Sequence, residues 1–213
     1  MIDELRDCAD CVDCERLVRF RNDNIKRYPS YHNKPVLAKG STNPKLLIIG
    51  LAPGLHGANA SGFPFHGDFS GRFLNECLEE NGFRISNTKQ TKDSQAIECS
   101  VTNAVKCLPP LNRPLRGEIN NCLKHLEKEV SFFKPKAILC LGVVAHNSLL
   151  SILQIKDIVK FKHGNQFRWN EMIIFDSFHP SKLNVSTGRL SKLMFNDTLK
   201  KISKQFEMLD LKD

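Results

Sequence analysis

No apolar run in the chain approaches the roughly 18 residues that a helix needs to span a bilayer, so no membrane partner is expected. The first ten residues, MIDELRDCAD, hold four acids and no apolar core. They read as neither a secretory signal nor an arginine-rich, acid-poor transit peptide, which makes the cytoplasm the expected location. Also missing are internal repeats, low-complexity tracts and linkers, and this excludes solenoids and strings of domains. Acids are scarce relative to bases: 23 Asp and Glu face 31 Lys and Arg, a formal charge of +8. That balance favours a polyanionic partner while leaving an ordinary basic enzyme open. With no export signal, the eight cysteines are expected to be thiols or metal ligands rather than disulfides.

What the chain does contain fits one domain over residues 1–213, since 41% hydrophobic content suffices for a single core at this length. Four short apolar runs read as buried strands: Leu46 to Gly50, Glu98 to Val105, Ala137 to Gly142 and Met172 to Asp176. Helical patterns separate them at Ser70 to Asn81, Leu115 to Phe133 and Val144 to Leu153, with a last one from Ser186 to Leu209. This alternation predicts an α/β fold of three layers, α/β/α, around a four-stranded, mainly parallel sheet. Residues Arg16 to Lys45 lack clear periodicity and are expected to wrap the domain irregularly. In such a sheet the ligand crevice lies beyond the carboxyl ends of the strands. Three segments should converge there: APGLHGANASGFPFHGDFSG, Asn103 to Pro110, and SFHPSKLNVSTGRL.

Cys8, Cys11 and Cys14 form CADCVDC, two overlapping Cys-x-x-Cys pairs, and Cys107 and Cys122 stand far downstream. Four thiolates from this set could hold zinc or an iron-sulfur cluster, and spacing alone does not choose. Cys77, Cys99 and Cys140 lie on helix or strand faces and read as small buried hydrophobes.

Taken together, GLAPGLHGANASGFPFHGDFSG, VTNAVKCLPP and HPSKLNVSTGRL resemble the iron-sulfur uracil-DNA glycosylases, most of all the branch called family 5 or type B. The likeness runs from about Cys11 to the last helix. It implies a four-iron four-sulfur cluster on Cys11, Cys14, Cys107 and Cys122, Cys8 being left over. The cluster would tie an N-terminal arm of about residues 1–45 to the loop between the second strand and the following helix.

The resemblance also implies roles. An everted nucleobase needs a flat face in place of base stacking, and Phe65 matches the family's stacking position. Asn103 would read the Watson–Crick edge, because a side-chain amide donates and accepts together. His179 would hydrogen-bond the base oxygen on which charge gathers, and Asp68 would handle the attacking water, although Asp68 also reads as a helix N-cap. Gly50, Ala52, Pro53, Gly54 and Ser181 would complete the substrate pocket. Ser70, Ser181, Asn184, Ser186, Thr187 and Arg189 are candidate contacts to the DNA backbone, with Leu183 as an apolar wedge in the groove.

GLAPG, with Ala52, is the family 5 form of the turn, although it differs from the other branches, and one stretch further on departs from the family's own pattern. Better-known uracil glycosylases carry Asp or Asn at the position of Ala52, and the related iron-sulfur branch carries Glu. The usual Asn-Arg-Thr-Gly-Arg-Pro-Phe-Thr-Gly-Asp becomes NASGFPFHGD at residues 59–68, losing two arginines and two threonines and placing His66 near Asp68. The expected activity is monofunctional hydrolysis of the bond joining uracil, or another deaminated base such as hypoxanthine or xanthine, to deoxyribose in DNA, by a monomer. The alternatives are a catalytically weak iron-sulfur protein that binds damaged DNA, and an α/β nucleotide hydrolase with a structural zinc.

Overall fold

The computed structural model describes residues 8–85, 96–155 and 159–210; residues 1–7 of the expected N-terminal arm lie outside these. Helix α1 (Glu15–Arg27) and the two-residue strand β1 (Lys39–Gly40) precede β2 (Leu46–Gly50). A short α2 (Ala58–Ser61), α3 (Phe69–Glu80), β3 (Phe83–Ile85) and β4 (Ile97–Asn103) follow. Next come α4 (Arg116–Phe133), β5 (Ala137–Leu141), α5 (Val143–Ile152), β6 (Gln166–Trp169), β7 (Met172–Ser177), α6 (Lys182–Ser186) and α7 (Lys192–Asp210).

The four apolar runs form the parallel centre of the sheet, in the order β4-β2-β5-β7. Their side chains alternate between two cores. Leu46 and Ile48 pack with Leu74 and Leu78 of α3 and with Phe195, Leu199 and Ile202 of α7. Leu47 and Ile49 face the other way, onto Leu126 and Val130 of α4 and Leu149 of α5. Burial on both faces explains why these strands read as unbroken apolar runs instead of an alternating pattern, and it gives the expected three layers.

Three expectations need correction. Among the described residues the sheet has seven strands, not four: β6 pairs antiparallel with β7, while β4 carries β3 along its first half and β1 along its second. These additions are two to four residues long, too short for periodicity to register. Residues 16–45 are not irregular throughout, because α1 occupies the first part. The last helix is divided: α6 ends near Gly188, whose φ of +72° is the left-handed conformation that stops a helix, and α7 restarts at Lys192.

Candidate active site and cysteine cage

β2 and β4 run side by side and end together, with Gly50 opposite Asn103. A Cβ on Gly50 would lie 2.5 Å from both Asn103 Oδ1 and Phe65 Cζ, so the missing side chain is what lets this amide and this ring meet. Phe65 is 7% exposed and holds a backbone φ of +53°, a conformation that a bulky residue adopts only when its surroundings enforce it. Its ring lies near-parallel to that of His179, with centroids 6.0 Å apart. Segments from the ends of β2, β4 and β7 therefore converge on one spot.

Asp68 caps α3: its Oδ1 accepts from the Gly71 N–H at 2.8 Å. Its Oδ2 points to the turn after β2, where a Cβ on Gly57 would overlap it and one on Gly54 would approach to 3.2 Å. The glycines of that turn thus admit a carboxylate, which supplies the acid that the turn itself lacks.

His179 sits where burial pushes its pKa down to about 4, opposed in part by the nearby negative charge of Asp68. At neutral pH it is an uncharged imidazole. Its carbonyl accepts from the Ser181 N–H and from Asn184 Nδ2, both at 2.8 Å, and Ser181 Oγ caps α6 by accepting from the Asn184 N–H at 3.2 Å. Ser181 and Asn184 therefore fix the histidine loop. Beside His179 opens a cavity of about 250 Å³ walled by Leu51, Gly142, Phe161, Phe178 and Arg189. Phe65, Asp68 and Asn103 lie outside that wall, and His179 is the side chain common to both. Arg189 stacks its guanidinium 4.6 Å above the Phe178 ring.

The other expected residues are distributed as follows. Pro53 is buried in the turn, and Ala52 packs against Val105 and Cys122, on the cysteine side. Leu183 is 70% exposed. Ser186 and Thr187 are exposed, each donating its hydroxyl to the Leu183 carbonyl, and Ser70 lies in the first turn of α3.

A neutral imidazole, a carboxylate, an amide and an aromatic floor around one turn can bind a flat heterocycle, donate to its oxygen and direct a water. The family model described as the uracil DNA glycosylase superfamily matches residues 37–203, which covers the whole sheet and every one of these groups. The chain belongs to that superfamily. Among its relatives, the type-5 uracil-DNA glycosylase of Pyrobaculum aerophilum is 36% identical over 189 residues, covering 86% of this chain and 83% of that one. The type-5 enzyme of Thermus thermophilus is 32% identical over 200 residues (89% and 90%), and that of Mycobacterium leprae 34% over 209 (91% and 90%).

The start of the superfamily match at residue 37 divides a second cluster of functional groups, leaving its N-terminal cysteines outside and Cys107 and Cys122 inside. Cys11 and Cys14 just before α1, Cys107 after β4 and Cys122 on α4 line one small cavity together with Leu17, Lys106 and His125. Cys8, which the resemblance leaves out of the ligand set, is 5% exposed and lines it too. Burial pushes the Cys107 thiol up to about 12 and that of Cys122 to about 11. Such thiols ionise only against a concentrated positive charge, and so many soft sulfur donors around one void fit a thiolate-bound metal centre. Cys77, Cys99 and Cys140 are buried core residues, as expected.

Sequence reasoning passed over the buried charge between the two sites. Lys106, 1% exposed, donates to Glu129 Oε2 (2.6 Å), Thr102 Oγ1 (2.8 Å) and the Asn103 carbonyl (2.6 Å). It also passed over an exposed hydrogen bond of 2.9 Å between Tyr31 and His56, beside the glycine turn. A lone lysine in VKCLPP carries no sign of burial, and the partners Glu129 and His56 come from distant segments.

Among the described residues no helix is long and apolar enough to cross a membrane.

Proposed function

We propose that this chain removes uracil from DNA by hydrolysis, after the nucleotide swings out of the helix into the pocket above Phe65. The observation that carries the reading is the meeting of Phe65, Asn103, Asp68 and His179 around Gly50 and the turn that follows it. The Phe65 ring replaces the stacking lost on eversion, and the Asn103 amide pairs with the Watson–Crick edge of the base. As the bond from the sugar carbon to the base nitrogen lengthens, its electron pair moves to the base. Neutral His179 donates a hydrogen bond to the oxygen that receives this charge. Asp68 Oδ2 orients a water and favours the cationic sugar; the water oxygen then bonds to that carbon. One proton passes to the departing base, and an abasic site remains.

Ser70, Ser181, Asn184, Ser186, Thr187 and Arg189 hold the flanking phosphates in this reading, and exposed Leu183 enters the groove. The pocket also admits hypoxanthine and xanthine, since the two arginines and two threonines usual beside it are absent and Ala52 brings no acid. Cys11, Cys14, Cys107 and Cys122 hold a four-iron four-sulfur cluster. When bound it cross-links the N-terminal arm to α4, and no step of the hydrolysis passes through it. The enzyme acts as a cytoplasmic monomer over one domain.

Oligonucleotides carrying a single uracil, hypoxanthine or xanthine, single- and double-stranded, test the reading directly. After incubation with the purified protein, alkali cleaves at any abasic site. Cleavage at uracil is expected, and intact strands throughout the panel would leave a damage-binding protein or a nucleotide hydrolase in its place. Broad visible absorbance with about four irons per chain supports the cluster, and zinc alone rejects it.

A further inference from the structure

One polar group in the cysteine cage has no partner. His125 lies on α4, three residues beyond Cys122 and so on the same helical face. It is 6% exposed, and its Nε2 is buried without a hydrogen bond. An unpaired buried donor costs about 1–3 kcal/mol, so an orphan here calls for a partner that arrives with the cage's contents. The ring lines the same void as the five thiols, with a ring nitrogen within 4.8 Å of Cys11 Sγ and of the Asp13 carboxylate.

A second observation on the same helix shows what kind of partner. Asn121 projects its Nδ2 toward Cys14 Sγ at 3.5 Å while also donating to the Asp13 carbonyl. Asn121 and His125 are four residues apart and flank Cys122, so α4 offers one N–H donor beside each thiol of the Cys11-x-x-Cys14 pair. Four thiols already satisfy a four-cysteine cluster, which leaves His125 the role of a donor to sulfur and not that of a ligand.

We infer that His125 Nε2–H hydrogen-bonds the Cys11 thiolate when the cage is filled, as Asn121 does for Cys14, and so helps to retain the metal centre and sets its reduction potential. The inference rests on the cluster reading above. An N–H bond to a ligating thiolate offsets its negative charge, which favours the more electron-rich reduced state and slows release of the sulfur.

The test compares the wild-type protein, His125→Leu and His125→Gln, each purified with its native metal and checked for folding by circular dichroism. Visible bleaching in excess chelator reports retention, and spectroelectrochemistry reports the potential; neither depends on glycosylase activity. The Leu variant, which lacks a donor, should lose iron about tenfold faster than wild type and show a lower potential. The Gln variant, which keeps an N–H, should fall close to wild type in both. Equal bleaching and potential in wild type and Leu variant would overturn the role of His125. Were the Leu variant unfolded, a Gln variant that bleaches tenfold faster despite its donor would do the same. Absence of iron-sulfur absorbance from the wild-type protein would instead refute the cluster reading itself.

Discussion

Asp68 caps α3 and, in the proposed reaction, also directs the water, two jobs that substitutions can separate. Asparagine retains an oxygen for the Gly71 N–H and so keeps the cap on α3, but it cannot carry the charge assigned to Oδ2. Asp68→Asn should melt near wild type while single-turnover cleavage of a uracil oligonucleotide falls by about 10²–10³-fold. Asp68→Ala should match that loss and also cost about 1 kcal/mol in a thermal or urea melt. In the proposed reaction His179 sets the pH behaviour. Its folded pKa of about 4 lies below the ordinary value near 6.5, so the imidazole stays neutral as pH falls through that interval. The His179 contribution to cleavage should therefore be flat from pH 8 to about 5, with loss only on approach to 4. Stability follows the same interval: the unfolded chain takes up a proton that the folded one refuses. The contribution is complete above 6.5 and drains away toward 4, visible as a falling melting temperature that a His179→Gln variant would not share. Gly50→Ala makes a sharper case, because its methyl would meet Asn103 Oδ1 and Phe65 Cζ at 2.5 Å. Overpacking of this kind costs about 1–3 kcal/mol, and kcat/KM should drop at least tenfold as the ring and amide are pushed apart.

Helix α1 illustrates why some elements escape a sequence reading. It buries only Leu17 and Asn24, too little for an apolar stripe to register. What holds it is a fork: Arg16 Nε and Nη2 each reach a Glu118 oxygen at 2.7 Å, and Glu118 Oε2 also accepts the Leu115 N–H at the start of α4. A partner 102 residues away leaves no local trace. Glu118→Ala removes both the fork and the N-terminal acceptor of α4; a loss of about 1 kcal/mol is expected, Arg16 being partly exposed. Since Cys14 caps the first of these helices and Cys122 lies on the second, iron held as proposed should be lost faster in chelator in that variant while the initial rate of uracil release stays unchanged. The four parallel strands, by contrast, were legible because both of their faces are buried. Asp68, Asn103 and His179 were legible as candidates only through the motifs around them. Lys106 and His125 were not, because burial of a single charged letter is decided by distant segments.

For the molecule as a whole, the excess of eight positive charges bears on how DNA is held more than on the chemistry. Contacts to phosphate release counterions, so affinity for duplex should fall by more than tenfold between about 50 and 200 mM salt, measured by fluorescence anisotropy. Turnover at saturating DNA should be unaffected. The backbone at Phe65 has a different global consequence. A left-handed φ at an aromatic residue costs on the order of 1 kcal/mol or more, yet a glycine that relieved it would forfeit about 3–5 kcal/mol of buried ring packing. Directed evolution for heat resistance alone would therefore keep the ring, so that the packing of this core shelters, at no further cost, the surface on which the proposed guest would lie.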